Sequence, residues 1–249
     1  MTRTPAFEDL LVLIADRSAA LRSSVAAAPD EDVRVPGCPD WSLRELVEHL
    51  TGVHRFWAAA VAAGPSEGPP TVTAAGDADP ADLLGRSAAA TEELVAALRT
   101  AGPVRGCWTW WAGSDVPMTS GAVARHQVQE AAVHAFDAQQ ATGTPGPVPA
   151  VVALDGIAAF IDVSHGTAGP WPHKPVRIGL HATEGVSWLV DLTASGSRLV
   201  DGGHETAADL HGPASDLLLV LHRRLPLESL RSEGDRSALE NLLSRPDLG

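Results

Sequence analysis

Trp41-Ser-Leu-Arg-Glu-Leu-Val-Glu-His-Leu50 is the stretch on which the fold turns. Ser42 and Glu45 stand three apart just ahead of an apolar row. That is the spacing of a capping box, in which a hydroxyl and a carboxylate satisfy two free amides at a helix start. Leu43, Leu46, Val47, Leu50, Val53 and Trp57 recur at three and four, which predicts a helix running to about Ala63. Upstream, Phe7, Leu10, Leu11, Ile14, Leu21 and Val25 keep the same period between Pro5 and Ala28, with Ser18 as the one interruption. Pro29 and its acidic neighbours close that helix, and Val35-Pro-Gly-Cys-Pro-Asp40 reads as a loop. Downstream, the Gly/Pro-rich run from Gly64 to Pro80 reads as a surface loop. A third helix is expected from Pro80 to about Ala101, with Asp79 as its cap. An aromatic turn, Cys107-Trp-Thr-Trp-Trp-Ala-Gly113, leads to a fourth from about Thr119 to Ala141. Four such helices joined by loops imply a four-helix bundle.

Val148 to His165 reads as one further helix. The period then changes. Val176–Ala182, Ser187–Leu192 and Ser197–Val200 alternate and are separated by turn residues, as in a meander, and Glu205–His211 reads as another strand. Pro213–Arg224 and Asp235–Leu243 are expected to be helical. The expected class is therefore a two-domain α+β chain, with a helical bundle over 1–165 and a small α+β domain over 166–249.

Composition bounds the function. The chain has 249 residues, with 45% apolar and 20% charged, enough apolar mass for a core. Thirty-one acidic against 18 basic residues give a net charge of −13, which repels phosphate backbones and anionic lipid, so neither nucleic acid nor membrane is an expected partner. Two cysteines, Cys38 and Cys107, make no disulfide framework, and no signal pattern or membrane span is visible, so a cytoplasmic location is expected. A single Lys, Lys174, against seventeen Arg reflects GC-rich coding.

Among the ten histidines, His126, Glu130 and His134 stand four apart on the fourth helix. Neighbours in that row share a face, but the outer two lie about 12 Å apart along the axis and cannot hold one ion. Either His126 or His134 pairs with Glu130, and His49, at the edge of the apolar face of the second helix, is a plausible further ligand. A His2Glu set suits zinc with a fourth position open. Asp137, three residues past His134, suits an outer carboxylate holding the second ring nitrogen. Glu and His at this spacing are also common as a solvated pair. His54, about 140° round the helix from His49, reads as a surface residue. Cys38 lies close enough in sequence to approach the site, and Trp108, Trp110 and Trp111 read as core. Arg223 and Arg224 suit either a substrate carboxylate or a helix end. Gly64-Pro-Ser-Glu-Gly68 spells G-x-S-x-G but follows a helix instead of a strand, so it is no nucleophile elbow, and no G-x-G-x-x-G or P-loop is present.

Taken together, Val35 to Leu50, Arg125 to Asp137, and Gly212 to Pro226 followed by Glu233-Gly-Asp235 resemble the mycothiol-dependent maleylpyruvate isomerase family over nearly the whole chain and in the expected order. The resemblance implies a DinB-like four-helix bundle holding zinc through His49, Glu130 and His134, and a C-terminal α+β domain similar to sterol carrier proteins. It also implies mycothiol, the small thiol of actinobacteria, as co-substrate, which agrees with the coding bias. A small electrophilic molecule is then the implied partner, with Arg223 or Arg224 as the implied anchor of its carboxylate. The implied chemistry is thiolate attack at an electrophilic carbon, ending either in cis–trans isomerisation of an enoyl acid or in S-transfer. A thiol-independent zinc hydrolase and a non-catalytic binding module of the same fold are the competing expectations.

Overall fold

The structure, a computed structural model, describes residues 4–72, 82–203 and 205–246. The chain divides into two compact units. One holds Pro5–Trp110 and Pro117–Val148, and the other holds Pro149 onward together with Thr4 and Trp111–Val116.

The helical unit is built from α1 (Phe7–Ala26), β1 (Arg34–Val35), β2 (Cys38–Ser42), α2 (Leu43–Ala63), α3 (Leu83–Ala101) and α4 (Ser120–Ala141). On α1 the buried residues are Leu10, Leu11, Ile14, Ser18, Leu21 and Val25, so the apolar row passes through Ser18 without a break. Helix α2 opens with the capping box: the Glu45 amide donates to the Ser42 hydroxyl, and the Ser42 amide donates to the Glu45 carboxylate at 2.7 Å. α2 packs on α3 and α1 on α4, while α1–α3 and α2–α4 contacts complete the set. Helix α4 buries Ala124, Ala131, Ala132, Ala135 and Ala138. Such small side chains let neighbouring helix axes approach closely, which brings the polar groups of α4 within reach of α2.

Two local expectations are corrected. The stretch read as a loop at 35–40 is a bulged antiparallel hairpin, β1 with β2, pairing Arg34 with Ser42 and Val35 with Cys38. Pro36, Gly37 and Pro39 disguise it, because such residues signal turns and are confined to bulges and edges within strands. Burial holds the hairpin in place: Val35 is fully buried in one cluster with Leu43, Leu46, Val47, Leu50, Ala135 and Ala138. The third helix is described from Leu83, capped by Asp82, whose carboxylate accepts from the Gly85 amide at 2.9 Å. Asp79, Pro80 and the end of the Gly/Pro-rich run lie outside the described residues.

In the second unit, α5 (Ala150–Phe160) continues into one π-helical turn, Ile161–His165. A five-stranded sheet follows, in the order β5 (Gly196–Val200), β4 (Ser187–Thr193), β3 (Val176–Ala182), β6 (Ala208–Gly212), β7 (Arg231–Gly234). The expected meander holds for β3–β5, but β6 returns to the far side of β3 and pairs with it in parallel. Strand β7 has no counterpart in the sequence reading, because Arg-Ser-Glu-Gly is exposed throughout and carries no apolar alternation. Ile178 and Leu180, Trp188, Val190 and Leu192, and Ala208 and Leu210 form the buried face, against which α6 (Ala214–Leu221) and α7 (Arg236–Leu243) pack. The helix over 150–165, expected with the bundle, groups with the sheet: α5 packs against α6 and the π turn against β5. Its buried residues run nearly round the helix, so periodicity alone does not point it to one partner.

Candidate metal centre

The hairpin ends in the residue that caps α2, so one short segment fixes both the start of that helix and the side chains of β2 beside it. His49 projects from the second turn of α2, while α4 contributes Glu130, His134 and Asp137. The Nε2 atoms of His49 and His134 both meet Glu130 Oε1, at 3.2 and 3.3 Å. Ligand atoms of all three residues lie within 4.8 Å of one another. Three donors held about 2.0–2.1 Å from one tetrahedral ion stand about 3.4 Å apart, so the two measured separations match the edges of such a site. The donor types, two imidazoles and a carboxylate, fit zinc.

The surroundings are built for those donors. His134 Nδ1 lies 3.0 Å from Asp137 Oδ2, and Asp137 is fully buried. Nδ1 donates its proton to that carboxylate and the protonated Nε2 donates to Glu130; a metal ion would take the place of the Nε2 proton. The Cys38 thiol donates to the same carboxylate oxygen over 3.9 Å, a long contact that places β2 behind His134. The Trp41 ring lies 4.5 Å from the His49 ring and 6.1 Å from that of His134, and the two imidazoles are edge-on at 5.0 Å. Glu130 is pushed up by burial, but hydrogen bonds with His134 and His49 outweigh this and hold its carboxyl well below the usual range. His134 is pushed down by burial, and Asp137 and Glu130 more than reverse it, raising the ring to about 9. This is a carboxylate kept charged between two imidazoles.

His126 is not part of the convergence among the described residues. It lies one turn before Glu130, its ring 6.0 Å from Trp57 and 5.7 Å from Trp110, and burial pushes its pKa down. His54, expected on the surface, is fully buried, with Nδ1 3.2 Å from the Thr91 hydroxyl. Burial pushes it down to about 4. The direction read from one helical wheel was right, but that direction faces α3 rather than water. Trp111 is fully buried, whereas Trp110 is 44% exposed, so the three tryptophans do not share one role. Neither Trp41 nor the contact of Cys38 with Asp137 was signalled by motif spacing, because both depend on the hairpin.

Arg223 and Arg224 lie in the second unit, just past α6. Helix α6 ends earlier than expected because Arg223 adopts a left-handed backbone (φ 58°) and the Arg224 amide returns to the Leu219 carbonyl at 2.7 Å. This is a Schellman-type end with arginine where glycine is usual. The Arg223 guanidinium donates to the Pro246 carbonyl and that of Arg224 to the His222 carbonyl at 2.9 Å.

The fold and donor set together define a two-part α+β protein whose helical unit carries a candidate metal site. Residues 11–139 match the family model described as the mycothiol maleylpyruvate isomerase N-terminal domain, and residues 151–241 match the C-terminal domain of the same family. The chain belongs to the mycothiol-dependent maleylpyruvate isomerase family. No curated protein sequence matches it. Among solved structures it is similar to a mycothiol-dependent maleylpyruvate isomerase, with a TM-score of 0.66 and 13% identity over 94% of this chain and 96% of that one. A variant of that enzyme with one histidine changed to alanine gives 0.62 and 12% over the same shares. At such identities the likeness establishes the shared fold. No helix among the described residues is long and apolar enough to cross a membrane.

Proposed function

We propose that the protein is a zinc-dependent enzyme that uses mycothiol against a small electrophilic substrate. The helical unit is read as a DinB-like bundle and the sheet unit as a relative of sterol carrier proteins. The observation that carries the reading is the meeting of His49 Nε2 and His134 Nε2 on one Glu130 oxygen, in a chain of this family. His49, Glu130 and His134 would hold the ion; when bound, zinc supplies a Lewis acid that stabilises a coordinating thiol as thiolate near neutral pH. The chain's own groups do the rest. Asp137 would keep the His134 proton on Nδ1, so that Nε2 stays a ligand, and the Trp41 ring packs against the His49 ring and helps to orient it. Arg223 or Arg224 would anchor a substrate carboxylate through a forked guanidinium.

The reaction class is thiol addition to an unsaturated carbon, completed by elimination in an isomerase or by release of the adduct in an S-transferase. The test is elemental analysis alongside turnover of cis-enoyl acids with and without thiol. Wild type should carry about one zinc per chain, and His49→Ala, Glu130→Ala and His134→Ala should lose it while His126→Ala keeps it. Turnover should require the thiol. Turnover without thiol would instead indicate a hydrolase, and a chain that cannot be loaded with zinc would overturn the proposal.

A further inference from the structure

A second cluster in the helical unit plays no part in the chemistry above. Phe56 and Trp57 on α2, His126 on α4, and Trp108 and Trp110 ahead of α4 form a chain of ring contacts. Phe56 meets Trp57 at 5.3 Å and Trp108 at 5.6 Å, both nearly perpendicular. Trp57 meets Trp108 at 6.2 Å and His126 at 6.0 Å, and Trp110 meets His126 at 5.7 Å. Trp57 is buried, but Phe56, Trp108 and His126 are only half-buried and Trp110 is 44% exposed. An aromatic group serving only as core would close its rings to water. The partly open rings of Phe56, Trp108, His126 and Trp110, set around the buried Trp57, offer faces and edges to a ligand.

The position of the cluster links it to the donor set. His126 precedes Glu130 by one turn, about 5.4 Å along α4. Phe56 follows His49 by seven residues on α2, about 20° from the same direction. Both helices therefore carry aromatic and donor residues in line. These contacts are ring to ring; burial pushes the His126 pKa down and outweighs Glu130, which favours its charged form. Such a wall attracts planar unsaturated groups edge-on or offset, and its ring faces, negative by their quadrupole, do not favour carboxylates.

We propose that this wall is the substrate subsite next to the metal, and that it takes an aryl or extended conjugated group attached to the electrophilic carbon, rather than a purely aliphatic dicarboxylate. The inference rests on the zinc reading of the adjacent donors. The span, one turn along α4 and about two along α2, suits a ligand whose polar end reaches the donors while its ring lies on the wall.

Calorimetry on the zinc-loaded full chain, comparing trans-cinnamate with fumarate, tests it. The two probes share an unsaturated acid and differ in the ring. Cinnamate should bind at least about tenfold more tightly. Trp110→Ala and Trp108→Leu should each weaken cinnamate about tenfold, with fumarate and zinc content unchanged. Trp110 is exposed enough that its replacement reads the subsite even if the Trp108 variant does not fold. Equal affinity for the two probes, or Trp110→Ala and a folded Trp108→Leu binding cinnamate as wild type does, would overturn the subsite. Zinc content reports separately on the metal: a chain that holds zinc but prefers fumarate refutes the wall alone. A chain without zinc refutes the metal reading, while the effect of Trp110→Ala on cinnamate still decides the wall.

Discussion

Asp137 carries more of the site than its distance from the reacting atoms suggests. It is fully buried, and its carboxylate accepts from His134 Nδ1 at 3.0 Å. Asp137→Asn keeps the shape and an acceptor oxygen but removes the charge that favours the ring proton on Nδ1. Zinc affinity should fall about 10- to 100-fold, measured by competition with a chelator, while the helical content stays that of wild type. An unchanged affinity would mean that the carboxylate orients nothing. His54 illustrates a buried histidine with a different consequence. Its folded pKa of about 4 lies below the ordinary 6.5, so the unfolded chain takes up a proton first as pH falls. The stability from the neutral ring is thus fully present above pH 6.5 and is lost between there and pH 4. The total is about 3 kcal/mol at 1.36 kcal/mol per pKa unit. His54→Gln should flatten the dependence of the denaturation midpoint between pH 7 and pH 4.5; a slope equal to that of wild type would contradict it.

At the scale of elements, the junction of β2 with α2 does two jobs, because the last strand residue is the helix cap. Ser42→Ala removes the acceptor for the Glu45 amide and should cost about 1 kcal/mol, read as a lower urea midpoint. Glu45→Gln, which can keep the reciprocal bond to the Ser42 amide, should cost less. The cap was legible because a capping box is a local signal within four residues. The hairpin before it was not: its two strands together span few residues, have one proline within them and another in the turn, and are held by Val35 packing into the bundle. On α3 an aspartate at the right kind of position, Asp82, caps the described helix, and the expected cap at Asp79 came from weighting the proline beside it. Strand β7 escaped notice for the opposite reason. It is entirely exposed and is defined by pairing with β6, which no periodicity reveals.

At the scale of the whole molecule, the donors come from two helices that are far apart in sequence, so an ion bound there would stabilise the folded helical unit and not the open chain. An ion at a free concentration 100 times its dissociation constant adds about 2.7 kcal/mol. Chelation should therefore lower the denaturation midpoint of wild type and leave that of His134→Ala unmoved, and equal sensitivity in the two proteins would locate the bound metal elsewhere. The amino-acid sequence by itself determined the main helices, the capping box of α2, the central meander, the change of period after the bundle and the row of ligand-type residues on α4. These follow from local periods and from side chains that act within a turn of their own backbone. Helical spacing left open which histidine joins Glu130; the resemblance named His134, and the physical reason lies in the tertiary structure. His126 and His134 stand symmetrically one turn either side of that carboxylate, and nothing on one helix separates them. His49, 81 residues away, settles it, because α2 crosses α4 where its ring reaches Glu130 beside His134 and not beside His126. The same packing turned His54 inward and folded a loop-like segment into the hairpin behind the site, since burial depends on what lies opposite a residue and not on its own spacing.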